Sequence, residues 1–159
     1  MHPAPEGANS FIYMLLVFAH IMSAMMAIGF NFTYIVWIRR GQANPETLPS
    51  ALKGVKFIDD FLANPLYIAA GVTGLLMILM GKSVASFLVV AIVIYLIDMA
   101  AAYLIYTPMV SRQIRLLTEQ GADSAAYRAI ASRSNIVGAL LGVGAVVIVA
   151  LKIFEPVFW

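Results

Sequence analysis

The 159-residue chain has no cysteine, only two histidines and few charges: Lys, Arg, Asp and Glu together make up 11% of it. Without cysteine there are no disulfides, thiolate metal sites, thiol nucleophiles or c-type haem attachment. The shortage of charge excludes an ordinary soluble domain, in which roughly a quarter of the residues are charged. The net charge is +2 and no basic tract stands apart from the apolar segments, so nucleic acid is not an expected partner. An HExxH pair, a nucleophile elbow and a phosphate loop are missing as well; "MGKS" lacks the first glycine of such a loop.

Apolar residues fill 62% of the chain instead, giving a mean hydropathy of +0.92. Four stretches, about 11–38, 61–80, 84–110 and 135–154, are long enough to cross a bilayer, which takes about 20 residues at 1.5 Å rise each. The first is too long for a signal peptide, has no basic segment before it and is stopped by Arg39 and Arg40, so it reads as a retained helix.

Basic residues set the orientation. Arg39, Arg40, Lys53 and Lys56 lie between spans one and two, and Arg112, Arg115, Arg128 and Arg133 between spans three and four, which is eight of the ten Lys and Arg. The positive-inside rule makes both connections cytoplasmic, and both termini and the turn at 81–83 extracytoplasmic. "SRQIRLLTEQ" continues the third helix to Gly121, and Asp123 or Ser124 can cap a further helix, "SAAYRAIASRS", running into the fourth span. Pro65 is placed to kink the second helix, and Asp59-Asp60 to complement its dipole at a solvated start. The expected fold is all-α: one polytopic domain over residues 1–159, a four-transmembrane-helix up-down bundle with helices extended into the cytoplasm of a bacterial inner-membrane protein.

Small residues mark helix contact faces in lipid. Gly138-x-x-x-Gly142, with Ala131 and Ala145 on about the same face, suits either a homodimer seam or packing within the bundle; Gly71 and Gly74 offer a similar face on the second span.

Polar residues inside the spans are costly and therefore informative. On the first helix His20, Ser23, Ala24, Ala27, Asn31 and Tyr34 share one face by helical spacing, a small and polar stripe that must face the bundle interior. Asp98 lies near the middle of the third span, where a bare aspartate costs about 2.5–3.5 kcal/mol on insertion scales. It calls for protonation, a hydrogen bond, or pairing with His20 or Asn31. The readings left open are a structural bond between helices and a proton-transfer or ligand-orienting role.

The segments "FAHIMSA", "FIDDFLANPLYIAAGVTGLLMIL", "MVSRQIRLL", "AYRAIASRS" and "LKIFEP" together resemble a group of bacterial integral membrane proteins classed as a domain of unknown function. The resemblance spans nearly the whole chain, with Ala19 before the histidine and Glu155 where a lysine is usual. It implies a four-helix membrane fold with a notable histidine at position 20, and it brings no activity.

A neutral imidazole projecting inward among small neighbours suits an axial haem ligand, so His20 marks a candidate haem b site, with Ser23, Ala24, Ala27, Asn31 and Asp98 as neighbours. Met77 is the first choice of second ligand and Met80 or His2 the alternatives; a second His20 across a dimer is a further route. A five-coordinate iron would suit gas binding better than electron transfer. The competing readings are a core histidine bonded to Asp98 or to a backbone carbonyl, a non-catalytic accessory subunit of a larger membrane complex, and a proton-coupled transporter using Asp98 and His20. Membrane lipid and a homo-oligomer or larger assembly are the expected partners.

Overall fold

A computed structural model describes residues 8–81 and 83–159. Among these described residues six α-helices follow in order: α1 Ala8–Ala43, α2 Leu48–Ile58, α3 Asn64–Leu79, α4 Ser86–Ala101, α5 Thr107–Gln120 and α6 Ala125–Phe154. Two π turns, Asp59–Ala63 and Ala102–Tyr106, join α2 to α3 and α4 to α5 without a break, so there are four long rods. Among the described residues, four helical segments are long and apolar enough to cross a membrane: Ser10–Ala43, Leu48–Leu79, Ser86–Gln120 and Ala125–Phe154. Each reaches further at the arginine-rich end than its hydropathy alone suggests. The 36 residues of α1 are about 54 Å long, well beyond a hydrocarbon core of about 30 Å.

Both π turns have the same local cause. A proline inside an α-helix has no N–H to donate, and its ring meets the carbonyl four residues earlier. Pro65 and Pro108 each follow a π turn by two residues. The amide of Asn64 donates to the Asp59 carbonyl and that of Thr107 to the Ala102 carbonyl, both five residues back. The extra residue in each turn opens room for the ring and rotates the residues before it relative to those after it. The sequence-based kink at Pro65 is thus realised as a wide turn within a continuous helix.

The connections use ordinary turn chemistry. Thr47 donates its hydroxyl to the Asn44 carbonyl at 2.9 Å as the chain turns from α1 into α2. Gly121 ends α5 at φ 80, and the Ser124 hydroxyl, not Asp123, caps α6 by accepting from the Tyr127 amide at 3.2 Å. Gly41 lets α1 and α2 close up, since a Cβ there would lie 2.9 Å from that of Ala51.

Packing differs between the two ends. At the basic end Leu48, Leu52, Leu116, Leu117, Tyr127, Ile130 and Ala131 form a conventional hydrophobic core between α2, α5 and α6. The amphipathic pattern of α2 (Leu48, Ala51, Leu52, Val55) and α5 (Val110, Gln113, Leu116, Leu117) supplies it. Each buried leucine contributes about 1.5–3 kcal/mol. Along the apolar spans the helices instead associate in pairs, α1 with α3 and α4 with α6, α1 also touching α6. Their seams hold small residues such as Ala27, Ala70, Ala91 and Ala145, while Phe18, Leu79, Leu104 and Ile153 face outward.

Within the bundle Gly138 and Gly142 do not form one contact face. Gly138 abuts the Tyr106 ring, 3.1 Å from where its Cβ would stand, whereas nothing lies within 4 Å of such an atom at Gly142. The close contact further along α6 is made by Gly144, against Asp98.

Candidate functional site

Between the two helix pairs lies a half-open chamber of about 1450 Å³ lined by all four rods, with exposed side chains such as Phe32, Leu96 and Val143 at its edges. Most of the lining is apolar; its polar groups include His20, Asn31, Tyr34, Asp59, Tyr67 and Asp98, with the charged Arg39 and Lys152 also on the wall. A large apolar cavity with a few convergent polar groups is the common form of a ligand site.

His20 is held from α3. Its Nδ1 lies 2.8 Å from the Ala70 carbonyl, which can only accept, so Nδ1 carries the proton and donates it. The neutral ring then has its lone pair on Nε2, on a side chain of the chamber wall. Thr73 Oγ1 stands 3.4 Å from Nδ1 but donates to the Ala69 carbonyl at 2.7 Å. Gly74 gives the ring its place on α3: a Cβ there would be 3.1 Å from His20 Cε1. The carbonyl bond is the one foreseen among the competing readings of His20, and no bond to Asp98 forms.

The rest of the polar stripe divides. Ala24, Asn31 and Tyr34 border the chamber with His20, while Ser23 and Ala27 are buried between helices and off its wall. Asn31 donates to the Tyr67 hydroxyl at 2.8 Å and so does not pair with Asp98. Met77 is buried and reaches the chamber wall, one turn beyond Gly74 on the helix that already holds His20. Met80 closes α3 as its C-cap and is not on the wall. His2 lies outside the described residues. Among the described residues no group of three or more His, Cys, Asp or Glu side chains comes together as a metal site.

Asp98 packs against Gly144, where a Cβ would overlap its carboxyl group. Its Oδ2 is buried and has no hydrogen-bond partner among the described residues. A buried oxygen left unpaired costs on the order of 1–3 kcal/mol and marks a place where a proton, water or ligand belongs. Tyr95, one turn earlier on α4, crosses to α3, donates to the Tyr67 carbonyl at 3.0 Å and lies on Gly71.

Asp59 departs most from its sequence reading. It is not a solvated dipole partner but a buried carboxylate, 6% exposed, on the chamber wall near the basic end. Oδ2 accepts from Thr107 Oγ1 at 3.1 Å and from Asn64 Nδ2 at 3.3 Å, and Oδ1 from the Tyr34 hydroxyl at 3.4 Å. Donors thus reach it from α1, α3 and α5, and the Thr107 bond ties one π turn to the other. Its neighbour Asp60 turns outward to Lys56. The sequence signal was there in two wide-turn sites, Asp59 five residues before Asn64-Pro65 and Ala102 five before Thr107-Pro108, but it shows only once the helical register is known.

A family model described as "Predicted integral membrane protein (DUF2269)" matches residues 14–156. No curated protein and no solved structure matches the chain.

Proposed function

We propose that this chain, which belongs to the DUF2269 family of integral membrane proteins, is a small b-type haem protein with His20 as proximal ligand. One observation carries the reading: the Nδ1–H bond to the Ala70 carbonyl puts the lone pair on Nε2 of a side chain that lines the chamber. Ligating histidines characteristically donate their other ring N–H to a carbonyl or carboxylate, which fixes the tautomer and the ring orientation. The residues fit the group in other respects. Ala24 and Gly74 keep the surroundings of the imidazole open, and the chamber exceeds the roughly 300–1,000 Å³ of ordinary ligand pockets.

The facing helices α4 and α6 line the chamber with apolar side chains such as Leu88, Ala91 and Val146 and also with Tyr95, Met99 and Lys152. Met77, two turns beyond the His20 partner Ala70 on α3, and Met99 of α4 are the thioethers that line it. Haem held there would supply redox or diatomic-gas chemistry at its iron, for gas or redox sensing or for electron transfer. The chain's own part is to orient the imidazole through Ala70 and keep Asp98 within the same chamber as a polar neighbour.

The test is an absorption spectrum of detergent-purified protein, oxidised and reduced, expressed with haem precursor. A Soret band that is lost in His20→Gly and restored by added imidazole is the expected result. A flat visible spectrum from folded, helical protein overturns the reading.

The unpaired Asp98 oxygen favours a second reading, proton-coupled transport through the chamber, in which Asp98 exchanges the proton and Asp59 faces the basic end. Proton uptake into vesicles that persists in His20→Ala and stops in Asp98→Asn would select it.

A further inference from the structure

On the outside of the bundle, away from the chamber, Arg112 of α5 and Arg133 of α6 border one shallow pocket of about 160 Å³ whose floor is Leu116, Ala126, Ala129 and Ile130. We propose that this pocket is a binding site for the phosphate headgroup of an anionic lipid, gripped between the two guanidinium groups.

Three observations support it. Neither arginine has an acidic partner: the ion pairs among the described residues are Lys56–Asp60 and Lys152–Glu155. Two unpaired guanidinium groups on one pocket are a strong phosphate receptor, because each presents a planar fork of donors that matches phosphate oxygens bidentately. Next, the helices are fixed to each other at this level. Gln113 and Ser134, each adjacent in sequence to one of the arginines, are buried and joined by a 2.6 Å hydrogen bond from Ser134 Oγ to Gln113 Oε1. The spacing of the arginine backbones is therefore set before any ligand arrives, which lowers the ordering cost of binding.

The third observation separates a lipid from free phosphate. Arg133 stands just before the apolar run of α6, and Arg112 just after that of the α4–α5 rod, so the pocket sits at the membrane boundary on the side that the positive-inside rule makes cytoplasmic. At helical spacing from Arg133 come Ile136, Leu140 and Val143, at 58%, 64% and 60% exposure, an unbroken apolar stripe along which acyl chains can lie. Basic pockets at this depth recognise anionic headgroups, and each basic residue near such a surface contributes about 1 kcal/mol.

The experiment uses the full chain in phosphatidylcholine nanodiscs doped with phosphatidylglycerol, with retained lipid read by native mass spectrometry. The unaltered protein is expected to retain phosphatidylglycerol in preference to phosphatidylcholine. Arg112→Ala with Arg133→Ala is expected to weaken that retention about 30-fold, the equivalent of about 2 kcal/mol at 1.4 kcal/mol per tenfold. Arg40→Ala with Lys53→Ala removes the same charge from the same end and should change it far less. Equal losses in the two pairs, or no headgroup preference in the unaltered protein, overturn the proposal. Displacement of the lipid by inorganic phosphate makes free phosphate the ligand and overturns it too. If the alanine pair does not fold, Arg112→Lys with Arg133→Lys keeps the charge and loses the fork; a partial loss supports the proposal and unchanged retention overturns it.

Discussion

The His20 imidazole on α1 donates to the Ala70 carbonyl on α3 across 2.8 Å, linking positions fifty residues apart in the chain. That single bond sets the tautomer, aims the ring and fastens the closest helix pair of the membrane half. Hydrogen bonds between membrane helices average about 0.6 kcal/mol, with a maximum near 1.7. His20→Ala should therefore lower stability in detergent by about 1 kcal/mol, read as a reduced midpoint of thermal or SDS-induced unfolding. A loss much above 2 kcal/mol would mean that the ring is a packing keystone and not an oriented donor.

Gly74→Ala separates the ring's position from the bond itself. Its new Cβ would stand 3.1 Å from His20 Cε1 and 3.3 Å from Nδ1, so the imidazole must shift. Alanine meanwhile favours the helix over glycine by up to about 1 kcal/mol. The expected outcome is a helix bundle of nearly unchanged stability with a disturbed His20 site, seen as a shifted histidine ring resonance in NMR. An unmoved resonance would count against close ring contact at Gly74.

Asp59 offers a sharper stability test. Asp59→Ala leaves Thr107, Asn64 and Tyr34 without their shared acceptor, and each buried orphan costs on the order of 1–3 kcal/mol where it finds no other partner. Thr107→Val removes one donor and leaves two, so its cost should be about 1 kcal/mol. Asp60→Ala breaks only the partly exposed pair with Lys56 and should cost well under 1 kcal/mol. Unfolding midpoints of the three variants check the ranking; an Asp60 effect as large as the Asp59 effect would contradict the register of the π turn.

Much of this architecture could be read from the sequence, because hydropathy is a local property that needs no knowledge of contacts. The four spans, the helix running past Val110 and the stop at Gly121 all follow from composition and turn residues. The near end of the second rod is legible too, since Pro49 suits a helix start and α2 begins at Leu48, but that the helix runs on into α3 through a π turn is seen only in the structure. Asp59 and Asp60 are chemically identical neighbours, and which of them is buried depends on a single extra residue in the turn before Pro65. The pairing of Asp98 with His20 or Asn31 was open in the sequence because helical spacing gives faces and not neighbours. The α1 face meets α3, so His20 and Asn31 are satisfied there and Asp98 meets Gly144 instead.

Tyr95 and Gly71 form the contact that spans the α3 and α4 walls of the chamber, and a double-mutant cycle isolates it. A Cβ at position 71 would overlap the Tyr95 hydroxyl, so Gly71→Ala must displace the ring and break its bond to the Tyr67 carbonyl. In the Tyr95→Ala background the same substitution meets no ring and should be neutral or mildly stabilising. A coupling energy of about 1–2 kcal/mol is expected from the unfolding midpoints, within the range for residues in contact. A coupling near zero would mean that the two walls are held apart by something other than this pair.

The unequal packing of the two ends predicts where stability resides. Leu52 is 1% exposed within the core at the basic end, surrounded by α5 and α6 side chains that cannot fully close a vacated space. Leu52→Ala should accordingly cost about 2–5 kcal/mol, the transfer term plus the cavity. Leu79 is 72% exposed at the other end of the second rod and faces the apolar surroundings of the span. Lipid or detergent chains are as apolar as the leucine and flow into the gap, so Leu79→Ala should change stability by less than about 1 kcal/mol. If the two substitutions cost the same, the membrane half would be a packed core in its own right, and the chamber between its helix pairs would close in solution. If Leu52→Ala dominates, the basic-end core holds the four rods in register while the spans remain free to spread around whatever the chamber binds, which links the position of the core to the existence of the cavity.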